Sequence, residues 1–103
     1  MMTRSTRRAS PRPALSRLQA LRRAVDRLDA RLLRLLNRRL RLARAIGAVK
    51  QQAGSRRVDL RREREILARL RRRNRGPLTA QKLRAIYRQI FLTTRAVQQR
   101  GHG

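Results

Sequence analysis

Three observations predict an all-α chain. Leu, Ala and Arg dominate while aromatics make up 2% of the 103 residues, so helix formers abound and strand formers are scarce. Apolar residues keep a heptad beat through Leu18, Leu21, Val25, Leu28, Leu32 and Leu35, then Leu42, Ile46 and Val49. Stop signals interrupt the periodic part twice, at Ala53-Gly54-Ser55 and at Asn74-Arg75-Gly76-Pro77, leaving one very long helix and two shorter ones. The length suits a single small domain.

The elements follow in chain order. Residues 1–15 hold Arg4, Arg7, Arg8 and Arg12 with Pro11 and Pro13 among Ser and Thr, have no periodicity and carry no acid, so a disordered basic leader is expected. An organellar transit peptide has a similar composition and ranks lower. Ser16 and Gln19 form a capping box that opens the first helix, and the heptad carries it to about Gln52. Such a helix spans roughly 54 Å at its rise per residue, whereas a compact chain of this length is only about 33 Å across. Leu33, Leu36 and Leu40 widen its apolar surface further, and an obligate helical dimer is expected. Asp59 caps a second helix that runs to about Arg73. Thr79 caps a third, whose apolar face is Leu83, Ile86, Tyr87, Ile90, Phe91 and Val97 and which fades near Gln99. The folded domain is thus 16–100, and 101–103 is a flexible tail.

Composition narrows the chemistry. Thirty Lys plus Arg against five Asp plus Glu give a formal charge of +25, which fits nucleic acid, an anionic membrane surface or small anions as partners. Compositional bias of the genome explains it equally well, because Lys50 and Lys82 are the only lysines. There is no cysteine, and the single His102 lies in a Gly-His-Gly tail, so no metal or thiol site is expected. Apolar stretches fall short of the ~18 residues of a membrane span, and no signal-peptide core follows the basic start, so a cytoplasmic protein is expected. No Gly-rich phosphate loop and no Ser-His-Asp set is present.

The informative residues are polar groups where a greasy face should be. Arg39 fills the one missed heptad beat, and Lys50, eleven residues on, lies on nearly the same side of the helix. Between them Ala43 and Gly47 leave a hollow, and a buried guanidinium calls for an anion. Close helix packing at Ala43 and Gly47, with an Arg39 that sets register or snorkels, accounts for the same residues. Asp59, Glu63 and Glu65 crowd into seven residues, and Glu63 shares a face with Ile66, Leu67 and Leu70. Helix N-terminal placement or a simple ion pair also accounts for them. Thr94 and Gln98 add a hydroxyl and an amide on the stripe of Ile90 and Val97, where satisfying a backbone carbonyl accounts for each as well. Taken together, two cations, an acid, a hydroxyl and an amide, with no nucleophile and no histidine, suit binding and electrostatic stabilisation of a reacting anion.

In order and spacing, Leu21-Arg22-x-x-Val25-Asp26-x-Leu28-Asp29, Arg38-Arg39, Ile46-Gly47-x-x-Lys50, Val58-Asp59-x-x-Arg62-Glu63-Arg64-Glu65 and Ile90-x-x-x-Thr94-x-x-x-Gln98 resemble the all-helical, AroQ-type chorismate mutases over roughly residues 16–99. The resemblance implies an intertwined dimer in which the long helix is shared between two active sites. It also implies a Claisen rearrangement of chorismate to prephenate, in phenylalanine and tyrosine biosynthesis, with no cofactor and no covalent intermediate. Position by position, it gives Arg39, together with Arg22 of the partner subunit, the two substrate carboxylates. Lys50 and Gln98 then donate to the ether oxygen. Glu63, with the backbone near Asp59, accepts from the ring hydroxyl, and Arg62 supports the site from beside it. Thr94 stands where the family usually has Ser, against a carboxylate.

Other readings remain. An isochorismate pyruvate lyase shares the fold and the cationic clamp, but the trio of Asp59, Arg62 and Glu63 favours the mutase. A basic helical nucleic-acid binder would use the Arg excess on phosphates, yet the arginines spread over most faces without stacking aromatics. A purely structural dimerisation module leaves Lys50, Glu63 and Gln98 without a task. Because the sequence stops soon after Gln98, no regulatory or dehydratase domain is expected within it.

Overall fold

In a computed structural model, residues 11–55 and 57–100 are described, and they form three helices: α1 (Pro11–Gln52), α2 (Leu60–Arg73) and α3 (Ala80–Arg100). The first ten residues of the expected leader, the tail 101–103 and His102 lie outside the described residues. No strand occurs among those described, and no helix is long and apolar enough to cross a membrane.

The helix ends follow local chemistry. α1 starts at Pro11 rather than at Ser16, five residues earlier than its capping box suggests. Pro11 and Pro13 occupy the first turn, where a missing N–H breaks no intrahelical bond, and Ala14 and Leu15 propagate the helix. At the other end Gly54 takes φ +77°, and its N–H donates to Gln51 O at 2.9 Å while Ser55 N–H donates to Lys50 O at 2.7 Å. That pair of bonds is a Schellman cap, which needs the left-handed residue that glycine supplies without a Cβ penalty. The Asp59 carboxylate caps α2 by accepting from Arg62 N at 2.9 Å, and Arg71, Arg72 and Arg73 complement the dipole at its end. Asn74 then turns the chain: its amide donates to Leu78 O at 2.6 Å and its side-chain oxygen accepts from Gly76 N at 3.2 Å. Thr79 Oγ1 accepts from Lys82 N at 3.1 Å to start α3.

The chain divides into two compact units, Met1–Leu36 and Asn37–Gly103. Within the first, Leu18, Leu21, Val25, Leu28, Leu32 and Leu35 are all exposed, so the heptad row is a bare apolar stripe on a single chain. In the second, α2 and α3 pack together, with Glu63 at the start of one meeting Arg95 near the end of the other. The buried core is small: Ala43 at 4%, Leu83 and Phe91 at 6% exposure, and Gly47. Leu42, Ile46 and Val49 remain exposed, so the heptad row and the packed face of α1 are different faces. Arg39 and Lys50 are half-buried on the border between them.

Candidate active site

Seven residues singled out from the sequence line one cavity of about 280 Å³ in the second unit: Arg39 and Lys50 from α1, Asp59, Arg62 and Glu63 around the start of α2, and Thr94 and Gln98 from α3. Arg22 belongs to the other unit. The apolar part of the wall is Leu42, Ala43, Ile46, Val58, Ile66 and Phe91.

Each polar group is held by identifiable contacts. Arg39 donates from Nη1 to Thr94 Oγ1 at 2.6 Å, and its guanidinium carbon stands 6.0 Å from the ring centres of both Tyr87 and Phe91. Those rings meet edge to face, with centroids 5.6 Å apart, and form a platform for the cation. Thr94 Oγ1 in turn donates to Ile90 O at 2.8 Å. The hydroxyl proton is thus committed to the backbone, and the oxygen lone pair holds Arg39; Thr94 acts on the cavity through the guanidinium.

Lys50 sits four residues before the Schellman glycine, Gly54, so its carbonyl is capped by Ser55 while its ammonium donates to Arg57 O at 2.6 Å. One ammonium proton is therefore used to tie down the loop after α1, and two remain for a ligand. Gln98 is brought in by a close approach of backbones. A Cβ built on Gly47 would lie 2.6 Å from Gln98 O and 2.9 Å from its Cα, so only glycine lets α3 come this near α1. The amide of Gln98 has no hydrogen-bond partner among the described residues and lines the cavity.

The three clustered acids separate into three tasks. Asp59 is the cap of α2, and Glu65 makes an exposed i, i+4 pair with Arg61 at 3.6 Å. Glu63 is gripped by Arg95, whose Nε donates to Oε2 at 2.9 Å and Nη2 to Oε1 at 2.6 Å. The Glu63 carboxylate raises the Arg95 pKa above its ordinary value, first by accepting its hydrogen bonds, against the opposing effect of burial, and with a further contribution from its charge. Four cations (Arg39, Lys50, Arg62 and Arg95) and two carboxylates (Asp59 and Glu63) therefore line the cavity, an excess of two positive charges that matches a dianion.

Sequence reasoning missed Arg95 and the Tyr87–Phe91 platform. Spacing offered a trace of the platform, since Tyr87, Phe91, Thr94 and Gln98 recur at three- and four-residue steps on one face of α3. Arg95 left no trace among thirty basic residues.

Comparison with known proteins gives one family: the model described as chorismate mutase type II matches residues 21–99. Three relatives are each named a bifunctional chorismate mutase/prephenate dehydratase. That of Aquifex aeolicus is 38% identical over 81 residues, covering 75% of this chain and 22% of the relative. The Neisseria gonorrhoeae protein is 36% identical over 78 residues, covering 76% and 21%. The Pseudomonas aeruginosa protein is 36% identical over 87 residues, covering 80% and 24%. The chain thus aligns with between a fifth and a quarter of the length of these relatives.

Proposed function

This chain belongs to the chorismate mutase type II family, and on that premise we propose that it converts chorismate to prephenate in phenylalanine and tyrosine biosynthesis. The observation that carries the reading is the meeting of Arg39, Lys50, Glu63 and Gln98 in one cavity with two excess positive charges. Chorismate is a dianion with a ring hydroxyl and an ether bridge, and one carboxylate, the hydroxyl and the ether oxygen each have a counterpart there.

The half-buried Arg39, oriented by Thr94 and the aromatic pair, presents its unused N–H groups to one substrate carboxylate. Arg22 of the partner subunit takes the other. Fixing both carboxylates holds the side chain over the ring in its reactive shape, which supplies part of the acceleration. As the ether C–O bond breaks, negative charge grows on oxygen. The free N–H groups of Lys50 and Gln98 meet that charge, so they stabilise the transition state more than the ground state. Glu63 accepts from the ring hydroxyl, beside Asp59 and Arg62. The rearrangement transfers no proton, and none of these groups needs to act as an acid or base.

The same proposal includes a homodimer that completes the site, and what supports it is the heptad row of the first unit, exposed on a single chain. A cytoplasmic location belongs to the same proposal. Incubating purified protein with chorismate tests the function: loss of chorismate absorbance with prephenate as the product supports it. Inert chorismate, with pyruvate released from isochorismate instead, would replace it with the lyase reading.

A further inference from the structure

Arg95 touches no substrate group in the mechanism above, yet it makes the most extensive side-chain contact among the described residues of the second unit, taking both oxygens of Glu63. The pair is half-buried, with the Glu63 side chain at 18% and that of Arg95 at 32% exposure. Resting on the proposed function, we infer that Arg95 is a positioning residue that keeps the Glu63 carboxylate from neutralising the cations reserved for substrate.

The reasoning starts from what Glu63 would do without it. A glutamate has three rotatable side-chain bonds, and this one lines the same cavity as Arg39, Lys50 and Arg62. An unpaired carboxylate there would find a cation, and pairing with Arg39 or Lys50 would compete directly with the substrate carboxylates or the ether oxygen. The fork from Arg95 satisfies the charge from the α3 side instead. It uses one lone pair on each oxygen, leaving one on each for a hydroxyl donor, and its two parallel bonds fix the plane of the carboxylate. A lysine at this position would supply the charge without the fork.

A double-mutant cycle on full-length protein separates this role from simple stabilisation. Arg95→Gln is expected to raise KM for chorismate about tenfold while changing kcat less than about threefold, because the freed carboxylate competes with substrate. In a Glu63→Gln background no charge is left to compete, and adding Arg95→Gln is expected to change KM less than about twofold. Arg95→Lys should recover part of the lost affinity. Equal losses in both backgrounds, or an unchanged KM in the single variant, would overturn the inference and leave Arg95 a structural residue. Thermal melts of each variant check that the fold persists. If the wild-type protein does not turn chorismate over, the proposed function fails on its own; calorimetric binding of chorismate then reads the same cycle.

Discussion

Replacing Gly47 by alanine measures how closely catalysis depends on the approach of two helices. The added methyl group would stand 2.6 Å from Gln98 O, 2.9 Å from its Cα and 3.2 Å from its carbonyl carbon. All three are backbone atoms, so no rotamer change relieves the overlap. Reaching the 3.4 Å at which ordinary contact begins requires the end of α3 to recede by about 0.8 Å. The two stability effects oppose each other: alanine is favoured over glycine inside a helix by about 1 kcal/mol, and overpacking costs about 1 to 3 kcal/mol. Catalysis has no such offset, because Gln98 moves with α3 and a misplacement near 1 Å costs about a hundredfold. Gly47→Ala should therefore melt within about 15 °C of the wild type. Its kcat should nevertheless fall by roughly 30- to 100-fold. Circular dichroism and the chorismate absorbance assay read the two effects. Full turnover in a folded Gly47→Ala protein would refute the reasoning, since the donor would then be placed by something other than this contact.

Lys50→Ala should lower kcat at least about a hundredfold, in line with a donor worth ~3 to 4 kcal/mol at a developing charge, with the oligomeric state in size-exclusion chromatography unchanged. If the sites are shared, exchanging subunits between inactive Lys50→Ala and inactive Arg22→Ala protein should restore about a quarter of wild-type activity. Half the dimers are then mixed, each with one intact site; no recovery after verified exchange would count against the shared site. Thr94→Val keeps the shape but removes the oxygen that holds Arg39, and KM should rise about tenfold; an unchanged KM would mean that the aromatic platform alone positions the guanidinium. Activity should vary less than about twofold from about pH 6 to about pH 9. Gln98 has no titrating proton. Arg95, its pKa raised by Glu63, contributes stability below its unfolded value and loses it only as pH rises through its higher folded value, both far above that range. A steep loss above neutrality would reveal another titrating group.

Features fixed by local rules were readable from the sequence, and features made by distant contacts were not. Asp59 and Thr79 cap the helices they were expected to cap, because an N-cap needs only its own side chain and the N–H three residues later. The start of α1 differed because proline is compatible with a loop and with a first helical turn alike, and neighbouring residues decide between them. The cluster of polar groups at Arg39, Lys50, Glu63, Thr94 and Gln98 stood out against apolar periodicity, and all five line one cavity. Thr94 was readable as a polar position but not as the holder of Arg39, since that bond joins residues 55 apart in sequence. Arg95 shows the limit from the other side: an arginine carries information only where arginines are rare, and here its meaning comes from Glu63, 32 residues away.

The ammonium of Lys50 is tied to the carbonyl of Arg57, a backbone atom that every residue type possesses. At Arg57, in the connection between α1 and α2, sequence drift is consequently filtered by length rather than by identity. The Arg57 side chain is exposed and free to change, since any replacement offers the same oxygen. An inserted or deleted residue would slide that oxygen away from the ammonium and change where its remaining protons point. Over evolutionary time position 57 should vary in letters while the connection around it resists gaps, the reverse of what surface loops ordinarily tolerate.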